Sequence, residues 1–210
     1  MTTWLTRIVP EPRSRAAQRD LRDAEALHKR VMSLVPDDLG DQARAKAGVL
    51  YRYDETGTVG PHLLIQTGMP IDTTRLPQQY GSLAVRDLTP LLEALNTDMA
   101  IRYRIIANTA KRLGRNSDRP GKLVSLRGPE ADQWWHARAE ASGLILKTLI
   151  STSLPDVRSK GENGVRHAAT RFDGIALIKD PELVRQAVLK GVGRGKAYGC
   201  GLLSIAPLAT

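Results

Sequence analysis

The order of elements readable along this chain predicts an α+β protein built as two tandem ferredoxin-like (βαββαβ) domains with antiparallel sheets. Three observations predict it. Residues 122–210 read as strand, helix, strand, strand, helix, strand; residues 1–112 repeat that order less sharply; and LGRNSDRPG, residues 113–121, has the polar, Gly and Pro content of a linker. A length of 210 residues suits two domains of about 100 residues each, or one large one.

The elements follow in order. TTWLTRIV is a strand by its β-branched and aromatic content, stopped by Pro10 and Pro12. A helical region runs from Ser14 to Val35 and breaks near Asp23, which can cap its second segment. GVLYRY (48–53) and PHLLIQT (61–67) are two strands joined by the turn DETGTVG. After the connection at Leu76–Pro77 come the helix-like LTPLLEAL and the strand MAIRYRIIAN. In that strand Ile101, Tyr103 and Ile105 alternate with Arg102 and Arg104, so one face is buried and the other basic. Beyond the linker, KLVSL is a strand and GPEADQWWHARAEASG a helix, with Trp134 and Trp135 in the core or at a domain interface. LILKTLISTSL and VRHAATRFDGIALI are the next two strands. Asp180–Pro181 starts a short helix, Asp as its cap and Pro in its first turn, and CGLLSIAPL is the last strand.

A formal net charge of +9 and a pI near 10.0 call for a polyanionic partner, nucleic acid first. Nothing approaches the roughly 20 apolar residues of a membrane span, and no signal-peptide pattern opens the chain, so no membrane is expected and the cytoplasm is. Cys200 is the only cysteine, which excludes internal disulfides and four-cysteine zinc sites. His28, His62, His136 and His167 are scattered without i,i+4 pairing or a carboxylate cluster, so no metal site is expected. No Gly-x-Ser-x-Gly elbow is present either.

The chain closes on LKGVGRGKAYGCGLLSIAP, where Gly191, Gly193, Gly195, Gly199 and Gly201 sit among Lys190, Arg194 and Lys196. A Walker loop fails because Lys190 and Ala197 occupy its diagnostic positions. The dinucleotide pattern fails because Lys196, Tyr198 and Ser204 stand where the third glycine belongs. What remains is backbone flanked by cations, open to a large anion or to a tight helix-to-strand turn.

On AEALHKRVMSLV the apolar Ala24, Leu27, Val31 and Leu34 form a core-facing stripe. His28 lies about 100° from Leu27, at the stripe's edge, with Lys29 and Arg30 outside it. Such a histidine is either a half-buried helix residue or an imidazole positioned to move protons on a phosphodiester. In the second case it takes the proton of a ribose 2′-hydroxyl, or protonates the departing 5′-oxygen, while a neighbouring cation offsets the phosphorane charge. Three basic groups are candidates to hold RNA, beside Lys29, or are solvated faces. They are Arg102, Arg104, Lys111 and Arg112; Arg158, Lys160, Arg166, His167 and Arg171 around the turn GENG; and Lys190, Arg194 and Lys196. Aromatic residues are too few for a stacking platform, so charge and backbone shape lead.

The segments WLTRIV, SRAAQRDLRDAEALHKRVMSLVP, LLIQT, ANTAKR, VRSKGENGVRHAATRFDG and GVGRGKAYGCGLLSIAP span nearly the whole chain in order. Together they resemble the CasE family of the RAMP superfamily, the CRISPR RNA processing endoribonucleases of type I-E systems, which stay with the Cascade surveillance complex. The resemblance implies an enzyme without cofactor or metal that binds the repeat stem-loop of precursor CRISPR RNA. It would cut at the 3′ base of the stem by 2′-hydroxyl attack, leaving a 2′,3′-cyclic or 3′ phosphate, with other Cascade subunits as partners. A noncatalytic RNA-binding subunit of a CRISPR ribonucleoprotein is the alternative. His28 matches the family's catalytic histidine, Arg158 and Lys160 its RNA-contacting hairpin cations, and Gly191–Gly201 its glycine-rich loop. One position departs: Glu25 stands where family members often carry tyrosine, and its carboxylate either tunes His28 or faces solvent.

Overall fold

The computed structural model describes residues 2–55, 60–158 and 166–208, and of Arg166 the backbone alone. The first sheet contains β1 (Trp4–Pro10), β2 (Leu50–Asp54), β3 (His62–Thr67) and β4 (Gly81–Asp87). It runs β2–β3–β1–β4, every neighbouring pair antiparallel. Two helices, α1 (Arg15–Leu21) and α2 (Ala24–Met32), cross from β1 to β2. Asp23 splits them as the sequence predicts: its Oδ1 accepts from the amides of Glu25 and Ala26 at 2.9 and 2.8 Å. The stripe of Leu27, Val31 and Leu34 is buried against Ile8, Leu63 and Ile65, which fixes the roll of α2 and therefore the direction of His28. A four-residue helix, α3 (Ala43–Lys46), precedes β2.

The second sheet contains β5 (Ala100–Ala107), β8 (Leu144–Leu146), β9 (Ile150–Arg158), β10 (Arg166–Ile178) and β11 (Ser204–Pro207). It runs β11–β5–β10–β8, with β9 also paired to β10. Helices α5 (Pro129–Ala141) and α6 (Pro181–Lys190) belong to this half. Its core centres on Trp135, fully buried, stacked on Phe172 and tilted against Tyr103, both at 5.7 Å. Both sheets share one strand order, the first strand of each unit lying between its third and fourth, which is the ferredoxin-like arrangement.

The division between the units differs from the one read in the sequence. Residues 100–107 do not close the first unit; as β5 they pair with β10 and β11 at the centre of the second sheet. The strand that closes the first sheet is β4, an edge strand whose Leu83 and Val85 are 42% and 52% exposed. With neither face buried it carries no apolar alternation to betray it. The helix expected between β3 and β4 is a 3-10 turn, Thr73–Arg75, while LTPLLEAL supplies α4 (Thr89–Glu93) on the way into β5. Residues 113–121 do not separate domains: β6 (Ala110–Arg112) and β7 (Leu123–Ser125) pair around them as a hairpin. KLVSL therefore lies off the second sheet, and its polar, Gly-containing neighbour is a turn rather than a linker.

The two sheets are joined through a buried guanidinium. Arg52, on the edge strand β2, is 2% exposed. Its Nε donates to Asp54 Oδ2 at 2.8 Å, and its Nη1 reaches the carbonyls of Arg104 and Leu202 at 3.2 Å and Ser204 Oγ at 3.0 Å. Burial pulls the pKa of Arg52 down and Asp54 opposes that pull. Beside it, Gln66 Nε2 donates to Val188 O at 2.8 Å, and Leu50, Leu64 and Leu202 pack as one cluster. Removing one partner of a buried ion pair leaves the other desolvated, so Arg52→Met is expected to cost about 3–5 kcal/mol in urea unfolding. Adding Asp54→Leu should recover part of that loss, and an Arg52→Met chain as stable as the wild type would contradict the role given to this junction.

Candidate active site

A cleft of about 410 Å³ opens where the two units meet, bordered by Arg22 and Leu27 on the helical side, Tyr53 on β2, Arg158 and Arg171 on β9 and β10, and Tyr198. His28, half-buried on α2 next to the lining residue Leu27, has its ring centroid 6.1 Å from that of Tyr198, another lining residue. Its Nδ1 is buried and has no hydrogen-bond partner. An unpaired buried polar atom costs roughly 1–3 kcal/mol, which marks a group kept for something other than stability. Burial is the largest influence on its charge and lowers the pKa below the usual imidazole value; Arg44, on α3, lowers it further, and Glu25 works the other way. His28 is therefore neutral at neutral pH and able to accept a proton. Glu25 is engaged by Lys29, Nζ to Oε1 at 2.8 Å.

Tyr198 reaches this place through the glycine loop. A 3-10 turn, Lys196–Tyr198, interrupts it, and its five glycines, Gly191, Gly193, Gly195, Gly199 and Gly201, all have φ between 69° and 90°. At Gly191 an added Cβ would stand 2.8 Å from Leu50 Cδ2, and at Gly199 3.3 Å from the Tyr51 ring. The loop thus lies pressed against β2 of the other unit, held by Tyr51 Oη donating to Ala197 O at 2.6 Å. Its glycines serve this close packing, not a phosphate cradle. Lys196 Nζ donates to Lys190 O at 2.7 Å, and burial, then Arg44, lowers its pKa. Arg44 Nη1 donates to Val49 O at 3.1 Å. Arg44 thus depresses both Lys196 and the imidazole, which makes this a place where an anion is favoured.

His167, on β10 of the same unit as Tyr198, approaches it with ring centroids 5.5 Å apart, and its Nδ1 lies 2.8 Å from Asn108 Nδ2. Burial lowers its pKa. Asn108 also bridges by its backbone to Arg194 of the loop. Among the described residues, no three His, Cys, Asp or Glu side chains gather closely enough to hold a metal ion. No helix there is long and apolar enough to cross a membrane.

The predicted RNA contacts fare unequally. Arg158 borders the cleft, its side chain 67% exposed, and Lys196 joins the cationic cluster at His28. Arg104 is spent elsewhere: its Nε meets Asp173 Oδ1 at 2.5 Å and its Nη1 lies 3.7 Å from Asp54, so it ties the two sheets together. Lys111 lies 3.5 Å from Glu130, and Arg112 donates to Gly121 O, both on the β6–β7 hairpin. Arg102 and Arg194 are exposed. Lys160 and the side chain of Arg166 lie outside the described residues. Sequence reasoning missed Arg44, Asn108 and Tyr198; only Tyr198 left a signal, as a lone aromatic inside a glycine loop.

The profile of the family described as CRISPR associated protein matches residues 3–207. The chain is 33% identical over 219 aligned residues to a Thermus thermophilus protein named CRISPR-associated endoribonuclease Cse3, covering 97% of this chain and 100% of that one. It is 26% identical to the Escherichia coli protein named CRISPR system Cascade subunit CasE, covering 89% and 94%. The structure of Thermus thermophilus Cse3 bound to an RNA representing a pre-cleavage complex superposes with a TM-score of 0.82 at 32% identity, covering 99% and 100%.

The charge environment of His28 is open to direct titration. Followed by NMR, its ring is expected to titrate below the ordinary imidazole value of 6.5. Arg44→Ala should move the midpoint up and Glu25→Gln should move it further down. A midpoint unmoved by Arg44→Ala would remove that cation from the site.

Proposed function

The chain belongs to the CRISPR associated protein family, and we propose that it is the endoribonuclease that binds the repeat stem-loop of precursor CRISPR RNA and cuts at its 3′ base. The observation that carries this reading is His28, a neutral, half-buried imidazole with an unsatisfied Nδ1, in the field of Arg44, which also acts on Lys196, and with its ring 6.1 Å from Tyr198 of the cleft. RNA brings its own nucleophile to such a site. His28 takes the proton of the ribose 2′-hydroxyl; the 2′-oxygen bonds to the adjacent phosphorus; the bond from phosphorus to the 5′-oxygen breaks, and that oxygen takes up a proton. The products are a 2′,3′-cyclic phosphate and a 5′-hydroxyl, and no water is consumed. Lys196 and Arg44 offset the negative charge that builds on the phosphorane.

Arg158, exposed at the end of β9, holds the stem beside the cleft, and Lys29, Arg102, Lys111, Arg112 and Arg194 add longer-range attraction for phosphates. Lys160 and the side chain of Arg166, outside the described residues, join this proposal on their sequence position alone. Arg104 leaves this list, since Asp173 and Asp54 engage it. The mature guide RNA then serves the Cascade assembly, whose other subunits are the protein partners.

His28→Ala is expected to slow single-turnover cleavage of the repeat RNA by about 10²–10⁴-fold, the usual worth of a general base, with RNA affinity retained. A 2′-deoxyribose at the scissile position should stop the wild-type reaction without weakening binding, and excess chelator should leave it unchanged. A noncatalytic RNA-binding subunit would instead show no cleavage in the wild type, and undiminished cleavage by His28→Ala would take the histidine out of the reaction.

The pH dependence has a definite sign. The active form is neutral His28, so the cleavage rate rises with pH through the lowered His28 pKa, below 6.5, and is flat above it. A rate that falls across the same range would require the imidazolium and contradict the base role.

A further inference from the structure

Two imidazoles from different units flank one phenol: His28 of α2 and His167 of β10, with ring centroids 6.1 and 5.5 Å from Tyr198. The reaction above uses only the first. His167 is held by a neighbouring side chain. Asn108, 7% exposed at the end of β5, places Nδ2 2.8 Å from His167 Nδ1. An amide nitrogen only donates, so Nδ1 accepts and the single ring proton resides on Nε2. The backbone also bends here: the β9–β10 register shifts between His167 and Ala169, and Val157 and Leu154 are their partners, leaving Pro155 and Asp156 opposite Ala168. The extra residue is on β9, so the bulge bends β9 opposite this place and not β10 itself. Asn108 thus sets the tautomer of an imidazole that lies against Tyr198, the ring that also meets His28.

We propose that His167, with its tautomer set by Asn108, is an oriented hydrogen-bond donor to a non-bridging oxygen of the scissile phosphate. This rests on the nuclease reading of His28. A neutral imidazole N–H is too weak an acid to protonate a leaving oxygen, so His167 transfers no proton. It meets charge that develops as the 2′-oxygen adds to phosphorus, and such a preorganised donor acts mainly in the transition state. Asn108 is the positioning residue: it touches no substrate and acts by holding the imidazole.

Three measurements test this. His167→Ala should lower the single-turnover cleavage rate on the order of 10²-fold, with the Kd for the repeat RNA nearly unchanged. His167→Gln, whose side-chain amide can donate from about the same position, should recover much of the rate; a purely structural histidine gives no reason for that rescue. On the wild-type protein, long-range ¹H–¹⁵N correlation of the His167 ring should show the proton on Nε2, a readout that does not depend on any variant folding. The proposal is overturned if His167→Ala cleaves at the wild-type rate, if it loses affinity as much as rate, or if the ring proton is on Nδ1. Should His28→Ala abolish cleavage while His167→Ala does not, this inference fails alone; should neither variant matter, the reading of the site fails with it.

Discussion

Everything at the cleft depends on the Arg52 guanidinium, because the groups that meet there come from different sheets. His28 and Arg44 belong to the first unit; Lys196, Tyr198 and His167 belong to the second. A guanidinium held by Asp54 on its own strand and by two carbonyls and a hydroxyl across the junction sets the separation of the two sheets. Desolvating that charge contributes little net stability, but its directional donors admit few alternative dockings where an apolar contact would slide. Arg104 reinforces the same joint, which explains why one of the most conspicuous cations in the sequence faces carboxylates of the protein and not an RNA.

The glycine loop follows from that docking. Once β2 lies against the second sheet, the chain returning from α6 to β11 has to pass through a gap bounded by Leu50, Tyr51 and Cys200. Side chains there would collide, so glycine is the residue that fits, and the positive φ values are the form the backbone takes in turning through it. The few side chains the loop does carry, Lys196 and Tyr198 among them, are then delivered to the cleft. Cys200, buried within this packing with its thiol pushed up to about 12, is inert filling.

Much of this was legible in the residues. The apolar stripe on α2 and the capping Asp23 fixed the helix and the edge position of His28, because helical periodicity is local and strong. The alternation in β5 correctly gave one buried and one basic face. Its sheet membership was not legible, since alternation reports that a face is buried without saying against what. The first unit was closed with the wrong strand for the complementary reason: Leu83 and Val85 lie on an exposed edge and leave no periodic trace. The contacts of Arg52 arise only when the two sheets dock, and that of Asn108 with His167 joins residues 59 apart within the second sheet, so no motif spacing encodes them. Arg44, on a single helical turn of the same unit, acts on His28 through the fold of that unit and not through a local spacing, and was silent for that reason.

The thirteen-residue β10 has two kinds of partner along its length. From Thr170 onward it pairs with β5 on one side, whereas Arg166–Ala169 pairs only with β9. The outer part of this hairpin is therefore a graft on the sheet, and it carries Arg158 while α2 carries His28. In the proposed reaction, grip and scissors are thus on separate parts, and a lineage whose repeat sequence drifts can follow it by exchanging residues along that arm, without disturbing the shears.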